Sequence, residues 1–261
     1  MIPLDERAAG LLRSPLGLTL LQMLAIQPRP QDIRDMSEAE LYGSAVSTCI
    51  FMSPHRSDYD SRRTELLAMA PRFAELAERV VRLPATATWW DPMDADHQVW
   101  VSKTGERPSA DRMEIKFAQY LPEVTKPRQA IWTSSPVRGG LPAGWIEWLV
   151  SGEDQRPGPY SVWRMLVGKE ARIFEIHSPG DWHRLATTYA GVSSGREKNP
   201  DWMLVSRDWD AVHLSVGGLL TAQAVAVESE AGTTTLRGWD VESTVWLRWA
   251  FTGAERLPDI L

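Results

Sequence analysis

The segment Gly238-Trp239-Asp240-Val241-Glu242-Ser243-Thr244-Val245-Trp246-Leu247-Arg248-Trp249, continuing through Ala250 to Phe251, decides how the second half of the chain is read. Side chains of a strand alternate between two faces, and the period-two recurrence of apolar residues predicts a strand over 243–251. Val245, Leu247, Trp249 and Phe251 then share an apolar face, while Glu242, Thr244, Trp246 and Arg248 share the other. That second face joins a carboxylate, a hydroxyl, a large aromatic and a guanidinium. It suits a cleft wall, with Trp246 stacking on a flat ring and Glu242 facing a developing positive charge. It fits equally a solvent-facing edge with an ordinary Glu/Arg pair.

Working outward, period-two runs rich in Val, Ile, Thr and Trp predict further strands at 98–102, 130–134, 161–167, 171–176, 202–206, 211–215 and 223–228. One helix interrupts them, opening at Pro179-Gly180-Asp181 with Asp181 as N-cap and running through Trp182, Leu185, Ala186 and Tyr189. Upstream the period is helical. A dense apolar segment from Leu16 to Leu24 follows Pro15, a residue tolerated at a helix start, and Pro28 and Pro30 end it. Ser37 and Glu40 have capping-box spacing ahead of Leu41, Tyr42, Ala45, Val46, Cys49 and Ile50. After a polar loop at 54–58, Phe73, Leu76, Ala77, Val80 and Val81 define one helical face that Pro84 closes. Helices first and strands later predict an α+β fold: a helical region over 1–83 and a β-rich domain over 97–261. All 13 tryptophans lie at or after Trp89, and the Trp89-Trp90 pair marks the connector 84–96 as the boundary.

Composition narrows the class. With 28 Lys+Arg against 34 Asp+Glu, the formal charge of -6 supplies no global basic field for nucleic acid or an anionic membrane. The 43% hydrophobic share is that of a folded globular chain. A single cysteine, Cys49, excludes an internal disulfide framework and Cys-based metal clusters, and a reducing cytoplasm is expected. The N-terminal residues lack the basic start of a signal peptide, and no long uncharged apolar stretch predicts a membrane span.

The common phosphate-loop, dinucleotide, zincin and hydrolase-elbow motifs are missing from the sequence, so any chemistry comes from scattered residues. Ala130-Ile131-Trp132-Thr133-Ser134-Ser135 is a short strand closing in three hydroxyl residues, suited either to bracing a ligand or to starting a plain Ser/Pro/Gly loop. His177, His183, Asp181, Asp210 and His213 invite a metal-assisted hydrolase reading. The six-residue gap from His177 to His183 is none of the standard ligand spacings, so no bound metal is expected.

Taken in order, the strand at 98–102, the Trp132-Thr133-Ser134-Ser135 run, the segment 202–215 and the late Glu242 resemble the mono-ADP-ribosyltransferase family. The resemblance covers residues 97–261 at most. It implies an NAD-consuming transferase, with NAD as substrate and a protein or nucleic-acid acceptor, acting as a toxin or regulatory enzyme. A regulatory or antitoxin partner goes with that reading, and no membrane. By the resemblance Thr133, Ser134 and Ser135 brace the nicotinamide pocket, with Trp132 and Trp246 beside it. Glu242 stabilises the oxocarbenium character of the ribose as nicotinamide departs. Where the family carries an Arg or His on its first strand, this chain has Ser102 and Lys103, with His97 just before, and Lys offers a point charge rather than a bidentate clamp. Asp240 stands two residues before Glu242 and is expected to orient the acceptor. The alternative is a non-enzymatic Trp-rich protein-binding module, or a degenerate transferase fold, since aromatics are favoured interface anchors.

Overall fold

The computed structural model describes residues 2–26, 32–52, 59–113, 126–127, 130–136, 144–151, 158–191 and 196–260. Pro28, Pro30 and the loop at 54–58 lie outside them. The fold is α+β, with helices first and strands later.

Helices α1 (Leu4–Arg13) and α2 (Pro15–Ala25) meet at a 93° bend. Ser14 makes that bend, because its hydroxyl accepts from the Leu16 and Gly17 N–H groups and Pro15 occupies the first helical position. Helix α3 (Glu38–Phe51) opens on the expected capping box: Ser37 N–H donates to Glu40 at 2.8 Å and Glu40 N–H to the Ser37 hydroxyl at 3.3 Å. The third helical stretch is two helices, α4 (Tyr59–Met69) and α5 (Ala74–Val81), separated by a 3₁₀ turn around Pro71. Among the described residues no single helix is long and apolar enough to cross a membrane.

The second half begins with β1 (Gln98–Ser102), β2 (Ile131–Thr133), α6 (Gly144–Ser151), β3 (Tyr160–Val167) and β4 (Ile173–Ile176). It continues with α7 (Pro179–Thr188), α8 (Trp202–Asp208), β5 (Ala211–Leu214), α9 (Val216–Ala222), the hairpin β6 (Ala226–Ser229) and β7 (Gly232–Thr235), β8 (Ser243–Trp246) and β9 (Phe251–Ile260). Strands β1-β3-β9 form an antiparallel sheet, and β2-β8-β5-β4 a mixed one in which only β4 and β5 run parallel.

Several expectations need correction. Residues 202–206 form helix α8, not a strand: Asp201 caps it by accepting from Met203 N–H at 2.8 Å, and the buried residues are Trp202 and Val205, three apart. Helix α7 is capped by Ser178 rather than Asp181, because Pro179 takes the first position and Asp181 N–H donates back to the Ser178 hydroxyl. The strand expected at 243–251 breaks, since Leu247 and Arg248 N–H both donate to the Asp210 carbonyl. The chain then crosses to the other sheet. Phe251 therefore packs on Trp246, ring centroids 4.3 Å apart, instead of sharing the face of Val245. The strand expected from 223 starts at Ala226, and more than one helix interrupts the strands: α6, α8 and α9 join α7.

These elements give the four-stranded sheet two different faces. Phe174, Val212 and Val245, with Ile176 and Leu214, pack on Leu11, Leu18, Leu21, Leu41 and Val80 from the helices, so the N-terminal region and this sheet share one apolar core. Trp89 and Trp90 of the connector are buried in that core too. On the opposite face Ile131, Trp246 and Ala211 meet Trp163, Met165 and Phe251 of the other sheet. Helix α9 seats against the first core through two glycines. A Cβ on Gly217 would lie 2.3 Å from the Trp90 indole, and one on Gly218 only 2.2 Å from the Ile176 carbonyl oxygen. Close approach thus overrides the poor helix propensity of the pair, the reason α9 is not legible from sequence.

Gly217→Ala is expected to lower the unfolding free energy by about 1–3 kcal/mol, as overpacking of a close contact does, read as a lower urea midpoint with unchanged slope.

Candidate functional site

Pairing across β2, β8, β5 and β4 aligns Thr133 with Thr244, Thr244 with His213, and His213 with Glu175. Laterally paired residues point to the same face, so four polar side chains form one row in the layer between the sheets. His213 is 2% exposed. Its Nδ1 is 2.5 Å from Glu175 Oε2 and its Nε2 is 3.2 Å from Glu242 Oε1, which places one imidazole between two carboxylates. Burial by itself would push His213 down, but the charges and hydrogen bonds of Glu175 and Glu242 outweigh it and raise its pKa to about 9. Burial likewise acts to raise Glu175, and the facing His213 charge and hydrogen bond with the Met93 N–H reverse it, leaving Glu175 below its ordinary range. A buried charge needs such partners, and here each has them.

Glu242 is fixed from a second side. The Ser135 N–H donates to both of its carboxylate oxygens, at 3.1 and 3.2 Å. Ser135 is positioned by a chain of hydrogen bonds: Trp246 Nε1 donates to Thr133 Oγ1 at 2.8 Å, Thr133 Oγ1 to Gln98 Oε1 at 2.5 Å, and Gln98 Nε2 to Ser135 Oγ at 2.9 Å. The strand ends thereby hold one carboxylate at the wall of a cavity of about 230 Å³, where Tyr42, Asp91, Asp94, Ser135, His213 and Glu242 come together. The Tyr42 hydroxyl is buried there without a hydrogen-bond partner among the described residues, and burial first, then the Glu242 charge, holds its pKa well above the ordinary value. A Cβ on Gly144 would lie 2.5 Å from that hydroxyl and 3.0 Å from the Glu242 carbonyl, so the start of α6 closes tightly over both.

The structure brings together only part of the set expected from sequence. Glu242 and Ser135 meet in the cavity. Thr133 and Trp246 are fully buried and act behind it, as the first links of the chain that positions Ser135, so Trp246 has no face free for stacking. The Ser134 hydroxyl accepts from Trp145 N–H at 3.1 Å and anchors α6. Asp240 is ion-paired with Lys126. Ser102 is buried, its hydroxyl 3.1 Å from that of Thr104. Lys103 and Trp132 line a separate cleft of about 300 Å³ with Trp100, Trp145, Trp148 and Tyr160.

From sequence, Glu175 and Tyr42 carry no assigned role, and His213 enters only as a candidate ligand of the metal-assisted alternative. Each of Glu175 and His213 stands between apolar neighbours in a short run, Phe174/Ile176 and Val212/Leu214, and that alternation was the available signal. Of the residues of the hydrolase reading, His177 and His213 share Glu175, and His183 and Asp210 are held elsewhere. His183 bonds Thr234 and Ser229 of the hairpin, while Asp210 accepts from Arg172 N–H and pairs with Arg248. Among the described residues no group of three or more His, Cys, Asp or Glu is arranged to hold a metal ion.

Compared with known proteins, the chain matches no protein-family model, no curated protein and no solved structure.

The bridge has a definite pH signature. His213 titrates higher in the folded chain than its ordinary 6.5, so its stabilisation is complete below pH 6.5 and lost as pH rises through about 9. Glu175 is shifted down from 4.5, so its share is present above that value and lost on acidification through the lowered one. Urea unfolding of the wild type should therefore lose on the order of 3 kcal/mol of stability across the alkaline window, a fall that His213→Gln removes.

Proposed function

We propose that the chain is an NAD-consuming ADP-ribosyltransferase in which Glu242 faces the nicotinamide ribose. The observation that carries the reading is the meeting of Glu242 with Ser135, whose N–H holds both carboxylate oxygens at the cavity wall. In that position a carboxylate stabilises positive charge building on C1′ and the ring oxygen while the bond to nicotinamide stretches. The C1′–N bond breaks with its electron pair leaving on nicotinamide. A nucleophilic atom of the acceptor then bonds to C1′ and gives up its proton.

The charge of the cavity agrees with the cationic end of NAD. Its wall carries Glu38, Asp91, Asp94 and Glu242 against the single His213 imidazolium, a net negative setting that favours a pyridinium over a diphosphate. Lys103 lies in the separate tryptophan cleft, so the reading rests on Glu242 and Ser135 and not on a lysine clamp. A macromolecular acceptor, a cytoplasmic setting and a toxin or regulatory role with its own neutralising partner belong to the same proposal. Asp240, tied to Lys126 two residues before Glu242, is the residue nearest in sequence for acceptor orientation. A second reading, a protein-binding module, is favoured by the tryptophan cleft, where Trp145 and Trp148 stand edge to face at 5.7 Å.

Nicotinamide release from NAD, with and without protein or nucleic-acid acceptors, tests the proposal. Glu242→Gln should keep the fold and most NAD binding while slowing release about 10²-fold or more, the loss of a transition-state contact. A wild type that binds no NAD by calorimetry at about millimolar concentration would contradict it and favour the binding module.

A further inference from the structure

A cavity of about 530 Å³ lies apart from Glu242, between α1, the start of α7 and strand β6. On its wall is Arg7, only 6% exposed. The guanidinium lies over the Trp90 ring, 4.7 Å from the centroid, and its Nε donates to the Ile2 carbonyl at 2.9 Å. No carboxylate among the described residues lies within ion-pair distance of it. Lys and Arg are almost never buried without a charge partner, and of the five N–H donors a guanidinium offers, one is bonded among the described residues. Every other buried charge described above has its counter-ion. Arg7 does not.

A second set of donors faces the same space. Helix α7 begins on that wall with Ser178, Pro179 and Gly180. Pro179 has no N–H, the Asp181 N–H is taken by Ser178, and the Gly180 N–H is left at the positive end of a ten-residue helix. Arg13 adds a cation at the rim. Against these stand Glu6 and Glu228 on the same wall, with Asp181 occupied by His177 N–H, the Ser178 hydroxyl and Arg184. Two cations against two wall carboxylates disfavour a polyanion such as nucleic acid. They leave room for one anionic group that reaches the buried fork and the helix terminus together.

We propose that this cavity is a binding site for a single phosphoryl group, held by Arg7 and the N-terminus of α7. A carboxylate would be satisfied by the guanidinium fork alone, whereas three terminal phosphate oxygens match the fork, the Gly180 amide and Arg13. The cavity exceeds the size of inorganic phosphate, so the group is carried on a larger molecule of the mononucleotide or sugar-phosphate class. The site does not depend on the transferase reading.

Calorimetric titration of the full chain with inorganic phosphate, AMP and adenosine tests it. Saturable binding of AMP or of phosphate, with none of adenosine, is expected, and AMP binding alone identifies a ligand-borne phosphoryl group as the occupant. Arg7→Gln, checked for folding by circular dichroism, should weaken binding at least about tenfold, and Glu242→Gln should leave it unchanged. Glu228→Gln, on the exposed hairpin strand, should tighten binding about threefold by removing a like charge; it tests the site even if Arg7→Gln does not fold. Absence of saturable binding of both phosphate and AMP at about 10 mM would overturn the proposal, as would affinity unchanged in folded Arg7→Gln or in Glu228→Gln.

Discussion

An imidazolium held between two carboxylates in the layer between two sheets constrains much of what surrounds it. Glu175, His213 and Glu242 come from three different segments; Glu175 and His213 are flanked by apolar residues that fix their strands on the helical core, and Glu242 follows the buried Val241 just ahead of β8. Removing His213 would leave two carboxylates without their shared cation, which costs more than the net gain from the bridge itself, whereas loss of one carboxylate leaves the imidazolium paired with the other. The pairing of β4 with β5 and of β5 with β8 is therefore tied to the charge state of the row, and the row sets where the Glu242 carboxylate points.

Around that bridge the polar and apolar parts of the fold divide the work. The tryptophans that the sequence concentrates after residue 88 mostly fill the two cores: Trp89, Trp182, Trp239 and Trp246 are essentially fully buried. Trp246 also donates the hydrogen bond that begins the chain to Ser135. His177 lines the Arg7 cavity, its Nδ1 3.0 Å from the Oγ of Ser215, which lines the Glu242 cavity, and its Nε2 3.9 Å from Glu175. Burial first, opposed by the Glu175 charge, keeps His177 below its ordinary pKa, in contrast to His213 on the neighbouring strand. One carboxylate thus touches a histidine that favours the neutral form and another that favours the charged form.

The α+β order was legible because local periodicity carries it: the capping box at Ser37, the strand from Gln98 and the alternation around His213 all read directly from neighbours. Elements decided by tertiary contact were not. Trp202 to Ser206 reads as a short apolar strand until Asp201 is seen to cap a helix there, and α9 carries two glycines that only its approach to Trp90 and Ile176 explains. The strand through Glu242 was expected to run on to Phe251, and the Asp210 carbonyl stops it. For the site, Glu242 and Ser135 were visible as residue types in a plausible order. Glu175 and Tyr42 were not, because lateral strand pairing and the packing of α3 against α6 are needed to bring them in.

The central claim is that His213 is doubly protonated between its two carboxylates at neutral pH. Nuclear magnetic resonance of the chain labelled with ¹⁵N-histidine, assigned with His213→Gln, reads both ring nitrogens directly. At about pH 7.5 both nitrogens of His213 should carry protons, with deprotonation centred near 9. A neutral tautomer at that pH, titrating below its ordinary value, would contradict the account.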